Sequence, residues 1–294
     1  MRSSKSANPI SASFPDFPRI RFPSSVCCFP LRCSGMYGHE ATKNSKPKTE
    51  NVPIMNVDVL CIAAHPDDVE MTSAGTVLSL IDQGKTVAVI DLTQGELGTR
   101  GSAEIRLQEA AEAAQIMRLA DRQNMGFRDG FFRNDEEHQR TLISWIRHYR
   151  PAIVLTNTVE DRHPDHGRAA ELVTDSCFYS GLRQIQTTDP VTGAPQVAYR
   201  PDFVYYFVQD RFLKPDFVVD ITPYREQKLQ AIKAYKSQFF NSESPDPQSY
   251  ISGEPFMKFL ESRDRDMGHM INVEFGEGFI SKRMLGVKHL FWLS

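Results

Sequence analysis

Two short elements hold a dense set of chemistry-bearing side chains: His65-Pro66-Asp67-Asp68 and, about a hundred residues later, His163-Pro164-Asp165-His166. Three of the eight histidines fall within these eight residues. An isolated His-Pro-Asp is ordinarily a turn, because Pro presets φ and Asp bonds its own backbone. Two copies, each with a further ligand-capable residue, point instead to a metal site. Two imidazoles and one carboxylate, with a position left for water, form the pattern of a catalytic zinc centre. Water activated there needs a nearby base that is not itself a ligand. Asp67 and Asp68 are adjacent and point in different directions, so one can bind metal while the other takes a proton. His163 and His166 divide in the same way into one ligand and one catalyst. Asp165 is placed to hold an imidazole in one tautomer and to favour its protonated form. Spacing alone leaves open which member takes which role.

Both elements follow strand-like runs. Val57–Ala64 is nearly all apolar, as expected of a strand buried on both faces of a parallel sheet, and Ala152–Thr156 is a second such run. Between them the pattern predicts a helix over Met71–Gln83 closed by Gly84, a strand over Thr86–Leu92 and a helix from Ser102 to about Leu119. A short strand near Asn124–Phe127 and a helix over Glu136–Tyr149 follow, then Pro151 as punctuation. After the second element come a helix over His166–Phe178, strands Phe203–Val208 and Phe217–Asp220, and a helix over Tyr224–Phe239. A Ser/Pro-rich loop at Asn241–Gln248, a helix near Phe256–Asp266 and an apolar stretch finish the chain. This alternation predicts an α/β fold, Rossmann-like, with a mostly parallel sheet flanked by helices. Ligands of such sheets bind outside the carboxyl ends of the strands, where both His-Pro-Asp elements fall.

Composition narrows the function. The chain has 294 residues and a formal net charge of −3. Residues 1–54 carry a net of +5 and residues 55–294 a net of −8. The first segment is Ser- and Pro-rich, holds Cys27, Cys28 and Cys33, and shows no hydrophobic period. It reads as a disordered or mis-started extension, with a transit peptide as the alternative, and the fold is expected to occupy 55–294. The acidic remainder argues against a nucleic-acid partner. No apolar run reaches the roughly 18 residues of a membrane span. Cys61 and Cys177 read as small core residues in a reducing, cytoplasmic compartment.

AHPDD at a first-strand end with HPDH about a hundred residues on resembles the PIG-L/LmbE-like zinc N-deacetylase family. The segments DLTQGELGTRGSAEIRLQEA, EDRHPDHGRAAEL, VDITPYREQKLQAIKAYKSQF and VEFGEGFISKR resemble its bacillithiol-biosynthesis branch and cover most of residues 55–284. The resemblance implies that His65, Asp68 and His166 bind Zn2+, or another divalent metal, and that Asp67 is the general base. It implies that His163, oriented by Asp165, stabilises the oxyanion or protonates the leaving amine. It also implies substrate contacts at Arg106, Arg200 and Tyr250, and a homo-oligomer such as a hexamer; Arg100, in a Gly-rich loop, is a second candidate for binding an anionic substrate. The expected reaction is removal of acetyl from an N-acetylglucosamine conjugate, first the malate glycoside, otherwise an inositol-linked or chitin-derived sugar. The KSQF of Lys236–Phe239 and the GEGF of Gly276–Phe279 mark the resemblance without chemistry of their own, and packing or subunit contact is their default reading.

Three other classes fit less well. A dinucleotide-binding enzyme lacks its glycine fingerprint after the first strand. A two-metal phosphoesterase needs more ligands than these motifs offer. A structural zinc module would close its site with four protein ligands, often cysteines.

Overall fold

A computed structural model describes residues 55–239 and 247–289. The extension expected over 1–54, and all but the end of the loop expected at Asn241–Gln248, lie outside the described residues. Seven strands form one sheet: β1 (Val59–Ala63), β2 (Val87–Thr93), β3 (Asp121–Phe127), β4 (Ile153–Thr156), β5 (Phe203–Phe207), β6 (Phe217–Asp220) and β7 (Gly276–Ser281). Their order across the sheet is β3-β2-β1-β4-β5-β7-β6. The first five strands pair in parallel, and β7 runs antiparallel to both β5 and β6. Among the described residues six α-helices accompany them: α1 (Asp68–Asp82), α2 (Ala103–Met117), α3 (Glu136–Tyr149), α4 (Pro164–Ser180), α5 (Arg225–Lys233) and α6 (Glu254–His269).

The period-two geometry of a strand explains why β1 reads as apolar throughout. Leu60 and Ile62 point into the core layer beneath α3 and α4, with Leu142, Ile146, Leu172 and Val173. Val59, Cys61 and Ala63 point to the opposite layer, with Val69, Val77 and Leu78 of α1 and Ala231 of α5. Full burial of each large aliphatic side chain contributes roughly 1.5–3 kcal/mol. Cys61 and Cys177 are buried free thiols, as expected of core residues.

Two stretches depart from the sequence reading. The C-terminal apolar stretch contains strand β7, whose Gly276 and Gly278 lower its strand propensity. A Cβ at Gly276 would lie 2.6 Å from Val218 Cγ1, so the close approach of β6 requires the glycine. The helix expected over Tyr224–Phe239 stops at Lys233. Beyond it Ser237 gives its amide and hydroxyl to Glu109, each at 2.7 Å, and these tertiary bonds replace the helical ladder. Among the described residues no helix is long and apolar enough to cross a membrane.

Candidate active site

Strand order reverses between β1 and β4: the chain leaves β1 toward β2 on one side and β4 toward β5 on the other. A crevice opens at such a switch point, and both His-Pro-Asp elements emerge there. The first forms the turn into α1, with Asp67 as its N-cap residue, and the second forms the start of α4 with His163 as N-cap. Pro164 at the first helical position has its ring angle already helical.

Asp68 sits between two imidazoles. Its Oδ2 lies 3.6 Å from His65 Nδ1, and its Oδ1 lies 3.2 Å from His166 Nε2. The other nitrogen of each ring faces an outer carboxylate. His65 Nε2 is 3.1 Å from Asp129 Oδ1 and 3.4 Å from Asp165 Oδ2, and His166 Nδ1 is 2.6 Å from Asp161 Oδ2. Asp68 is held in turn by Asn157 Nδ2 at 2.9 Å, Gln209 Nε2 at 3.1 Å and the His65 amide at 3.0 Å. Asn157 and Gln209 stand just past β4 and β5, so three neighbouring strand ends build this cluster.

The cluster carries four carboxylates around two buried rings. Burial opposes charge on His166, but Asp68 and Asp161 outweigh it and push the ring up to about 9. His65 is likewise raised, with Asp129, Asp165 and Asp68 overcoming its burial. Asp129 is pulled down to about 2: burial opposes this, and the bond from His65 prevails. Such a surplus of negative charge calls for a cation. A nitrogen–oxygen donor set without sulfur, each ring fixed by an outer carboxylate, fits a divalent metal ion. Ligand atoms of His65, His163 and His166 also lie within 4.8 Å of one another, as do those of His65, Asp129 and Asp165.

Asp67 stands apart from this cluster. It is buried, and its φ of 121° lies where non-glycine residues rarely go. Strain of this kind, about 1–3 kcal/mol, gathers at functional sites because the surroundings enforce it. Burial raises its carboxyl to about 7, with Arg106 pulling the other way and Asp68 adding to the rise. Arg106 Nη1 lies 3.5 Å from Asp67 Oδ2. These groups line a cavity of about 360 Å³ that also takes in His163, Arg100, Arg162 and Tyr250.

Residues 60–177 match the family described as PIG-L, GlcNAc-PI de-N-acetylase. The diacetylchitobiose deacetylase of Thermococcus kodakarensis is 31% identical over 200 residues, covering 64% of this chain and 73% of that enzyme. The chain belongs to the PIG-L family. It is an N-deacetylase, a hydrolase of the linear amide bond. A probable N-acetyl-α-D-glucosaminyl L-malate deacetylase of Bacillus anthracis is 26% identical over 211 residues, covering 66% of this chain and 87% of the relative. Among solved structures, the conserved protein TT1542 of Thermus thermophilus superposes with a TM-score of 0.69 at 30% identity, over 79% of this chain and 98% of that one.

Within this PIG-L enzyme the expected site residues divide. His65, Asp67, Asp68, His163 and His166 converge on the cavity, as do Arg106, Arg100 and Tyr250. Arg106 is buried rather than free: Nη1 donates to the Pro66 carbonyl at 3.0 Å and Nη2 to Gln238 Oε1 at 2.5 Å. Gln238 of the KSQF segment thus acquires a task, holding Arg106 against the first element. Arg100 donates from Nε to the Ser237 carbonyl at 2.9 Å, while its buried Nη2 has no hydrogen-bond partner. Tyr250 is exposed at the rim, with the Arg162 guanidinium 4.1 Å over its ring.

Two expectations require correction. Arg200 does not reach the cavity: its guanidinium caps the Phe178 carbonyl at 2.7 Å and stacks 4.2 Å over the Phe178 ring. Phe178 lies near the C-terminal end of α4, roughly 20 Å along the helix from His163 at 1.5 Å per residue. The Asp165 carboxylate does not orient His163. It accepts from the Gly130 amide at 2.8 Å and Arg168 Nη1 at 2.5 Å and faces His65, whereas only the Asp165 amide contacts His163, at Nδ1. Helix geometry turns the second residue of α4 inward, away from its N-cap. Asp129, Asp161, Asn157 and Gln209 escaped the sequence reading. Asp161 had a signal, since it lies in the quoted EDRHPDH run; Asp129, Asn157 and Gln209 join through tertiary contact alone.

Proposed function

We propose that this enzyme uses zinc to remove the acetyl group from an N-acetylglucosamine conjugate, with His65, Asp68 and His166 as metal ligands and Asp67 as the base. The observation that carries this reading is the separation of Asp67 from Asp68. Asp68 contacts both imidazoles, whereas Asp67 is buried against Arg106 with a carboxyl poised near neutrality. By distance alone His163 competes with Asp68 as third ligand. Asp68 is favoured because it touches both rings and because both of its oxygens are oriented by amides.

Zinc, when bound, supplies Lewis acidity at the amide carbonyl and toward the attacking water. Asp67 accepts the proton of that water and returns it to the departing nitrogen, a role suited to a base near neutral pH. Arg106 keeps part of the Asp67 population ionised despite burial. His163 Nδ1 accepts from the Asp165 amide at 3.3 Å, so its Nε2 carries the proton that faces the cavity. Burial lowers its pKa and the neighbouring His65 and His166 lower it further, which keeps the ring neutral. A neutral Nε2–H is a hydrogen-bond donor for the developing oxyanion.

The malate glycoside is the first substrate. Arg100 and Arg162 lie on the cavity wall and suit an anionic aglycone within a chain that is otherwise acidic. A chitin-derived disaccharide is the second reading, favoured by the higher identity to the diacetylchitobiose enzyme. Acetate release by the zinc-loaded enzyme, compared across the malate, chitobiose and inositol-linked conjugates, separates them. A kcat/KM at least tenfold higher for the malate glycoside is expected; the reverse order would replace malate by chitobiose. No acetate from any conjugate would reject the sugar reading.

A further inference from the structure

We propose that Arg263 is a positioning residue for Asp68, acting from behind α1 through two backbone carbonyls. The inference rests on the reading of Asp68 as a metal ligand. Arg263 belongs to α6, and its side chain is 9% exposed. Nη1 donates to the carbonyl of Gln209 at 2.9 Å, and Nη2 donates to the carbonyl of Met71. Gln209 is the residue whose side-chain amide binds Asp68 Oδ1. Met71 lies one turn after Asp68 in α1. One guanidinium therefore grips both the helical turn that carries Asp68 and the residue that binds its carboxylate. A planar fork can span two acceptors in this way, and a lysine ammonium cannot do so with the same fixed geometry.

The grip has a rigid base. Arg263 lies 3.5 Å from Asp264, whose carboxylate accepts from the fully buried Lys228 at 2.9 Å. Lys228 also contacts Glu277 Oε1 at 2.9 Å. Glu277, from the GEGF segment, accepts from the amides of Gly75 at 3.0 Å and Thr76 at 2.7 Å. In a regular helix the Gly75 amide would serve the Met71 carbonyl. Here both groups of that one helical bond have side-chain partners, Glu277 on the amide and Arg263 on the carbonyl. Buried ions are a costly way to fill space, and apolar side chains would pack as well. What the array supplies is a fixed rotation and height for the first turn of α1, and so for Asp68.

The test measures zinc affinity of the metal-stripped full chain by competition with a chromogenic chelator, together with the visible spectrum of the cobalt(II)-loaded form. Arg263→Lys keeps a positive charge near Asp264 but loses the fork. It is expected to weaken zinc binding about 10–100-fold, to alter the cobalt bands and to lower kcat with KM unchanged. Gln209→Met should act in the same direction, and the double variant should be no weaker than the weaker-binding single, since both changes remove one support. Zinc affinity for Arg263→Lys within about twofold of the parent, with only Tm lowered, would overturn the proposal. Should Arg263→Lys not fold, the charge-balanced Arg263→Met/Asp264→Asn is judged by the same twofold line. Asp68→Ala serves as the reference: if it retains zinc, the ligand assignment fails, whereas loss in Asp68→Ala with none at Arg263 rejects this inference alone.

Discussion

The two His-Pro-Asp elements share a tripeptide and a strand-end position, yet they enter their helices in different registers. In the second, His163 is the N-cap with an ordinary φ of −85°, and the helix starts at Pro164. Asp165 is then the second helical residue and turns inward to the Gly130 amide and Arg168. In the first, the helix starts two positions later in the motif, and Asp67 itself is the N-cap with φ 121°. That unusual backbone turns Asp67 toward the cavity and Arg106. The same Asp is therefore an anchor in one element and, in the other, a cavity-lining carboxylate beside Arg106. Backbone register, not residue identity, assigns the duty.

The largest expected effect is at Asp67. Asp67→Asn should lower kcat by about 10²–10⁴-fold, retain zinc and gain nothing from added metal. Turnover near the parent rate would remove the distinction between the two aspartates. Asp165→Asn should behave differently, weakening zinc binding about 10–100-fold through His65, with activity recovered by excess zinc. Equal loss in both variants, neither rescued by metal, would mean that the registers have no functional consequence.

Metal affinity should also depend on pH. His65 and His166 are raised in the metal-free chain, His166 to about 9, so both are protonated at neutral pH. A metal held by these rings must expel those protons, so its affinity is expected to fall as pH falls below about 9. The expected slope is about tenfold per pH unit for each proton displaced, read by chelator competition between pH 6.5 and 8.5. A flat profile would show that the rings are neutral before metal arrives.

The smallest effect isolates the backbone. Asp67→Gly should be more stable than Asp67→Ala by about 1 kcal/mol, because glycine accepts the positive φ that alanine resists. At Asp165 the order should invert, Gly below Ala by roughly 0.5–1 kcal/mol, as in any regular helix. Thermal melts of the four variants check both signs, and the same order at both positions would contradict the register difference.

Much of this was legible in advance for reasons that can be named. Parallel strands are buried on both faces, so Val59–Ala63 announces itself as a continuous apolar run and Ile153–Thr156 as a nearly continuous one. The His-Pro-Asp elements stand at the ends of two such runs, which places them on the functional edge without further information. Strand β7 was hidden because its glycines serve close packing rather than strand propensity. Arg200 was misplaced because nothing local says which end of α4 its loop approaches.

By itself, the sequence determined the sheet's parallel core, the two elements at its edge and the residue types able to hold a metal and move a proton. Those features follow from local periodicity and side-chain chemistry, which short stretches of chain contain in full. Only the tertiary structure decided that Asp129 and Asp161 back the imidazoles, that Asp165 serves His65 rather than His163, and that Gln209 reaches Asp68 while Arg263 holds the Gln209 carbonyl. Each of these pairs joins residues from different strand ends or helices. Their contacts exist because strand order reverses between β1 and β4 and brings those ends together, a property of the folded sheet that no local stretch encodes.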